Sequence, residues 1–347
     1  MVRVLCLNTG SSSLKWALFA GEHCLQQGRA EDLRAADQFS ATLTMTFAGL
    51  RQKPEAIAHR IVAPNTVWPQ ARPLDDALER ELESLTPLAP DHLPQALALI
   101  GATRAAFPAL PQFACSDSSF HRTLPEVARR LPLPRTLTAE AVARYGYHGL
   151  SCASVLAALA AEGPLPQRLI IAHLGHGCSL TAVRAGRSVE TSMGFTPLGG
   201  VPMSTRSGDL DPGVLLYLLR ERGVTPEALD RMLNHDSGLR GSSGLSGDMK
   251  TLLADPQPQA QEAVELFVYR IRMCLGALAA VLGGVDLLVF TGGIGENAAV
   301  IRERICADMD WLAPQGKLAA RAVPAQEERM MARALCAALA LKDEGRS

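Results

Sequence analysis

Leu5-Cys6-Leu7-Asn8-Thr9-Gly10-Ser11-Ser12-Ser13-Leu14-Lys15-Trp16-Ala17-Leu18-Phe19-Ala20-Gly21-Glu22 decides the reading of this chain, because Ile170-Ile171-Ala172-His173-Leu174-Gly175-His176-Gly177-Cys178-Ser179-Leu180-Thr181-Ala182-Val183-Arg184-Ala185-Gly186-Arg187 repeats its grammar. In each stretch an apolar β-type run ends in a small-residue turn, a second apolar run returns, and an Ala-Gly step turns the chain again. The pair reads as a duplicated unit, one copy opening each of two domains; the alternative is two unrelated hairpins with glycine turns.

Working outward, 347 residues suit two domains of ordinary size. A hydrophobic share of 48% with 20% charged residues is globular composition with ample core material. A formal net charge of −1 supplies no global basic field for nucleic acid or an acidic membrane surface. Met1 to Asn8 holds no apolar stretch long enough for a signal peptide, and Leu275 to Phe290 is interrupted by Gly283, Gly284 and Asp286, too short to span a bilayer. The eight cysteines form no C-x-x-C pair, so they read as reduced thiols, several of them buried; the expected compartment is the cytoplasm.

Helical spacing is expected over Leu74–Leu85, Pro94–Phe107, Leu150–Ala161 with Ser151 as cap, Pro212–Arg222 with Asp211 as cap, Gln259–Leu282, Asn297–Met309 and Glu327–Leu341. Gln112–Cys115 and Val285–Phe290 read as strands, and Leu312–Pro324 as loop. Strands alternating with helices make this an α/β chain with mixed sheets. Domain I is expected over 1–150, with the C-terminal helix at about 323–345 returning to it, and domain II over 151–322.

Three turns rich in small residues, Asn8–Ser13, Gly175–Ser179 and Gly292–Gly295, each follow an apolar strand. Such turns expose backbone N–H groups at a sheet's carboxyl edge, which suits phosphate oxygens. A P-loop, a G-x-G-x-x-G turn, the protein-kinase HRD and DFG signatures and a G-x-S-x-G elbow are all missing. Duplicated domains with hairpin phosphate loops facing a nucleotide cleft are the plan of actin-like ATPases, the ribonuclease H-like ASKHA class.

The motifs then resemble one family along nearly the whole chain. Asn8 to Lys15 looks like the N-terminal acetate kinase signature, and Ala172–Gly177 running through Thr191–Pro197 to Thr205–Asp209 resembles its second. Further similarity lies in His59-Arg60, Ser116-Asp117, Arg144–Gly149, Ser237–Leu239, Ser246–Lys250 and Phe290–Asn297. The resemblance implies ATP-dependent phosphoryl transfer to acetate; the alternatives are a kinase for propionate, butyrate or a more polar short acid, and a non-catalytic actin-like nucleotide-binding protein. It also implies a homodimer, a small carboxylate and ATP/ADP as ligands, and Mg²⁺ (or Mn²⁺) as the metal.

Roles follow residue by residue from that resemblance. Asn8 and Glu327 match metal-holding positions, where oxygen donors suit a hard cation that keeps its waters. Asp117, His148 and Arg206 match the catalytic set, and Arg60 matches the substrate-carboxylate arginine, a planar donor suited to bidentate binding. Lys15, His173, Leu174, Gly175, His176, Gly177, Asp248, Met249, Lys250, Gly293, Ile294, Gly295, Glu296 and Asn297 match nucleotide-contacting segments. Val62, Asp91, Tyr147 and Pro197 match the pocket for the substrate's alkyl group.

The chain also departs from the family pattern. Ala63-Pro64-Asn65 stands where His-Gly-Gly is usual, His176 and Leu93 replace asparagines, Cys152 a histidine and Tyr147 a phenylalanine, and the segment before Pro324 is short. Asp91 replaces a pocket leucine, which suggests a more polar substrate than acetate; the competing reading makes it the cap of the helix that follows.

Overall fold

Arg3–Thr9 forms strand β1, with six of its seven residues buried, as a strand covered on both faces must be. Ser13–Ala20 (β2) and His23–Glu31 (β3) complete the hairpins, and Ala56–Ile61 (β4), Arg72–Pro73 (β5) and Gln112–Ser116 (β6) complete the sheet in the order β3-β2-β1-β4-β6-β5. β2 and β3 run antiparallel to their neighbours, whereas β4 and β6 run parallel to β1. The structure is a computed structural model that describes residues 1–10, 13–31, 36–69, 71–139 and 141–344. Ser11 and Ser12 of the first small-residue turn lie outside the described residues.

The chain divides into two compact units, Met1–Arg122 with Gln326–Ser347, and Thr123–Ala325. The sequence expectation set these crossings at 150 and about 322. Residues ahead of 150 are tied into the second unit by Arg144, whose guanidinium donates to the carbonyls of Ala128 at 3.1 Å and Thr191 at 2.7 Å.

The second unit holds Arg168–Leu174 (β7), Cys178–Arg184 (β8), Arg187–Thr191 (β9), Leu287–Thr291 (β10) and Ala320–Ala322 (β11), ordered β9-β8-β7-β10-β11. Again two strands return antiparallel and the other two run parallel to the first. The correspondence extends to an irregularity. In the first unit Phe19 pairs with Cys24 and Leu18 with Gln26, skipping Leu25; in the second Val183 pairs with Ser188 and Ala182 with Glu190, skipping Val189. Both copies carry a one-residue bulge at the same offset from the hairpin turn.

Helices bury the sheets. In the first unit Leu5, Leu7, Leu14, Leu18, Leu43, Ile57 and Leu99 form one cluster, and Ile61, Trp68, Leu78, Leu82, Leu93 and Ile100 belong to another. The Glu327–Glu344 helix packs on β1 and β4 with Met331 and Leu335 fully buried. In the second unit the Pro258–Leu282 helix buries Ala260, Val264, Phe267, Ile271, Leu275 and Leu278, a helical stripe laid on β7 and β8.

Several sequence expectations are corrected. Ala56–Ile61, to which the pattern assigned no element, is the central strand β4. Leu312–Pro324 is not all loop: it contains β11, an edge strand too short and too polar to show periodicity. The helix expected over Asn297–Met309 is shorter, Ala299–Cys306, and a separate helix that the sequence reading lacked, Gly292–Asn297, precedes it across Ala298. The third small-residue turn is therefore the start of a helix, with Gly292 at φ +77° where a side chain would be strained. Ser151 does not cap its helix: Gly149–Glu162 begins after His148, which sits in the left-handed region at φ 58°. Nor does Asp91 occupy the cap of the Leu93–Ala106 helix; that position is His92.

Candidate active site

In the first unit, three adjacent parallel strands deliver their carboxyl-end residues to one place. Asn8 ends β1, Arg60 lies near the end of β4, and Asp117 follows β6 with its N–H bonded to the carbonyl of Ile61 at 2.9 Å. Arg60 donates from Nη2 to Asp117 Oδ2 at 2.8 Å and from Nη1 to Asn8 Oδ1 at 3.1 Å. The first turn of the Glu327–Glu344 helix completes the cluster: Asn8 Nδ2 donates to Glu327 Oε2 at 2.8 Å and to Glu328 Oε1 at 2.7 Å.

Asp117 is fully buried, and Asn8 and Glu327 nearly so. Burial opposes the charge on Arg60, but Asp117 and then Glu327 outweigh it, so the guanidinium is held firmly protonated. Three carboxylates face one arginine, which leaves excess negative charge among oxygen donors. That chemistry fits a hard divalent cation. Among the described residues no group of three or more His, Cys, Asp or Glu makes a ready-made metal cage, so a cation here would keep much of its water. Glu328 is absent from the sequence-derived set, although its place beside Glu327 in the same helical turn is the signal that could have found it.

In the second unit, the β7–β8 turn gathers a different set. His148 bonds through Nδ1 to Ser179 Oγ at 2.9 Å, and its ring stacks on His173 with centroids 4.1 Å apart. His173 Nδ1 in turn meets Ser151 Oγ at 2.8 Å. Gly177 explains why the turn is glycine-rich: a Cβ there would stand 3.1 Å from His148 Nε2 and 3.6 Å from Arg206 Nη1. His148 and Arg206 thus present polar ends to the same loop. Burial pushes the neighbouring Cys178 thiol up to about 12, which makes it an inert small apolar residue there.

Beside this loop lies a cavity of ≈ 1130 Å³, lined in part by Gly175, His176, Asp248, Met249, Lys250 and Gly293. Ile294 and Asn297 line it too, so the three segments of this half that the resemblance matches to nucleotide contacts all reach one space. Thr205 of the Thr205–Asp209 motif lines it as well, and Ser204 and Arg240 add polar groups and Leu245 and Leu253 apolar ones that the sequence pattern did not single out. Asp248 caps its helix by accepting from Thr251 N and Oγ1, both at 2.8 Å; these bonds, the backbone one first, lower its carboxyl pKa. Glu296 faces inward, accepting from Gly292 N at 2.9 Å and Ala325 N at 3.0 Å, and so braces the loop.

The other candidates sort by unit. Lys15 is opposite Asn8 in the β1–β2 ladder and exposed. Val62 is buried and Asp91 half-buried in the first unit. Tyr147 and Pro197 are in the second; the Tyr147 hydroxyl donates to the Phe195 carbonyl at 2.6 Å, and the Pro197 carbonyl accepts from Arg206 Nη1 at 3.4 Å. Leu174 is a buried strand residue and Gly295 a buried helical one.

Comparison with known proteins now bears on the site. The model of the acetokinase family matches residues 43–316. The chain belongs to this family. An acetate kinase of Rhodopseudomonas palustris is 39% identical, the match covering 95% of this chain and 96% of the relative. One from Nitrobacter hamburgensis is 41% identical over 90% and 86%. Among solved structures, a Porphyromonas gingivalis acetate kinase superposes with a TM-score of 0.85 at 30% identity, covering 98% of this chain and all of that one. A Francisella tularensis propionate kinase gives 0.85 and 30% over 96% and 99%. This acetokinase-family chain accordingly has the actin-like ATPase fold, with the hairpin-led sheet present twice. No helix among its described residues is long and apolar enough to cross a membrane.

Proposed function

We propose that this acetokinase-family chain transfers the γ-phosphoryl group of ATP to acetate, giving acetyl phosphate and ADP, and also runs the reverse reaction. The observation that carries the reading is the pairing of His148 and Arg206 at Gly177, beside a cavity large enough for a nucleotide. A carboxylate oxygen attacks the γ-phosphorus as the bond to the ADP oxygen breaks and ADP leaves with that electron pair. The nucleophile is already ionised, so no general base is needed.

What remains is charge control on the equatorial oxygens. Arg206 and His148 donate to them, and Arg60 binds the substrate carboxylate, its fork geometry held by Asp117. Backbone N–H groups of the Gly175–Gly177 turn hold the phosphates. Asn8 and Glu327, with Glu328 behind them, are the residues that would hold Mg²⁺. When bound, the cation neutralises phosphate charge.

One observation favours a second substrate reading. His92 and not Asp91 holds the helix cap, and the half-buried Asp91 stands where the family resemblance implies an apolar pocket residue, which supports a hydroxylated short acid over an alkyl one. Two helices also support a homodimer: Pro212–Glu221 buries none of its residues although Val214, Leu216 and Tyr217 are apolar, and Pro258–Leu282 exposes Leu266, Tyr269 and Met273.

The test is hydroxylamine trapping of the acyl phosphate with ATP, Mg²⁺ and a panel of acetate, propionate, butyrate and glycolate. Acyl hydroxamate that disappears in Arg206→Ala, while ATP binding persists, is expected. Full activity in that variant overturns the assignment.

A further inference from the structure

The β7–β8 ladder pairs His173 with Ser179, so the two side chains share a face of the sheet. Ser179 reaches past its ladder partner to His148 at 2.9 Å, and His173 bonds instead to Ser151 at 2.8 Å. Ser179 and Ser151 are fully buried. The two rings stack 4.1 Å apart at 20°, each with Nδ1 on a serine hydroxyl and Nε2 toward a glycine. His148 Nε2 lies 3.1 Å from the place of a Cβ on Gly177, and His173 Nε2 3.1 Å from that of Gly292.

We propose that Ser179 is a positioning residue that donates its hydroxyl proton to His148 Nδ1 and thereby keeps the ring proton on Nε2, facing the loop. Three points carry it. A neutral imidazole has one donor and one acceptor nitrogen, so the bond made by one nitrogen fixes the role of the other. A serine hydroxyl rotates to donate or accept, whereas the Nε2 edge is useful to an anion only as a donor. Two imidazolium rings stacked at 4.1 Å, His148 nearly buried and His173 partly so, would repel strongly, so the pair cannot hold a proton on all four nitrogens. The left-handed backbone at His148 commits the ring to this site; such a conformation in a non-glycine residue needs surrounding structure to hold it. Ser151 plays the same part for His173.

The inference rests on His148 being the phosphoryl donor, so its test includes a readout independent of turnover. Long-range ¹H–¹⁵N correlation spectra of the full chain with ¹⁵N-labelled histidine, the His148 signals assigned through His148→Gln, report the tautomer at neutral pH. The wild type is expected to show a single Nε2–H form, and Ser179→Ala a mixture or the Nδ1–H form. Turnover of ATP with acetate should fall roughly tenfold in kcat, about what one hydrogen bond is worth, with KM for ATP little changed. Ser179→Cys, close in shape but a weak donor, should fall between the two and answers the same question if the alanine variant does not fold. A wild-type His148 that is Nδ1–H or doubly protonated overturns the proposal, as does an unchanged tautomer or kcat in the folded variants. Were the chain to lack carboxylate kinase activity, the tautomer comparison would still decide the role of Ser179.

Discussion

Gly177→Ala puts one methyl group in front of the proposed phosphoryl donor. Built on the existing backbone, its carbon would stand 3.1 Å from His148 Nε2 and 3.3 Å from Cε1. Those approaches are a few tenths of an ångström too close, and the imidazole cannot yield freely because His173 stacks on it and Ser179 holds its far side. The methyl therefore covers the Nε2 edge and displaces the ring. Loss of one preorganised donor to a transition state costs about 10²- to 10³-fold in kcat, or roughly 3–4 kcal/mol. Folding should hardly notice. Gly177 is not among the residues with positive φ, so alanine is allowed there, and the entropy gain of roughly 0.4–1 kcal/mol offsets the tight contact. The assay is steady-state kinetics by hydroxamate trapping beside thermal denaturation: kcat down about a hundredfold, Tm within about 3 °C. A variant with near-normal kcat would refute the placement of His148 at the reacting group, and a collapse of Tm would show that the loop's glycine serves folding instead.

Four further outcomes are expected. Asp117→Asn strips Arg60 of its closest buried partner and should cost about 3 kcal/mol in urea denaturation, the lower end for breaking a buried pair because Glu327 remains 3.5 Å away. Burial pulls His59 down to about 4 against the opposing bond from Gln112; since the unfolded chain takes up its proton near 6.5, stability should fall as pH drops from 6.5 to 4, by about 3 kcal/mol at most, and His59→Gln should flatten that slope. Asp91→Leu should lower glycolate turnover relative to propionate by about tenfold, the worth of one polar contact; strong acetate preference in the wild type that Asp91→Leu leaves unchanged sinks the polar-substrate reading. Tyr217→Glu, on the helix with no buried residue, should shift sedimentation velocity from dimer toward monomer without loss of helicity; a wild type that sediments as a monomer removes the dimer.

What the sequence disclosed was governed by range. The two hairpins were legible because their signals, apolar runs and small-residue turns, sit within eighteen consecutive residues. The strand that carries Arg60 was not, since Ala56–Ile61 is a short six-residue run whose burial comes from neighbours 52 residues before it and 55 after it. Ser151 looked like a cap by local rule, but a left-handed His148 took that position and freed the hydroxyl for His173. The Gly292–Gly295 turn resembled the other two in composition, yet the Glu296 carboxylate on the Gly292 N–H winds it into a helix. Glu328 and the serines that hold both imidazoles belong to bonds spanning from 22 to 320 residues. No windowed pattern reports contacts of that reach.

Leu25 and Val189 interrupt their ladders at matching steps, and an extra residue has many other places in a hairpin to settle. Its coincidence in both halves is what copying of a single hairpin-led unit would leave behind. The bulge thus serves as a landmark for aligning one half of this chain with the other, where few residues are shared.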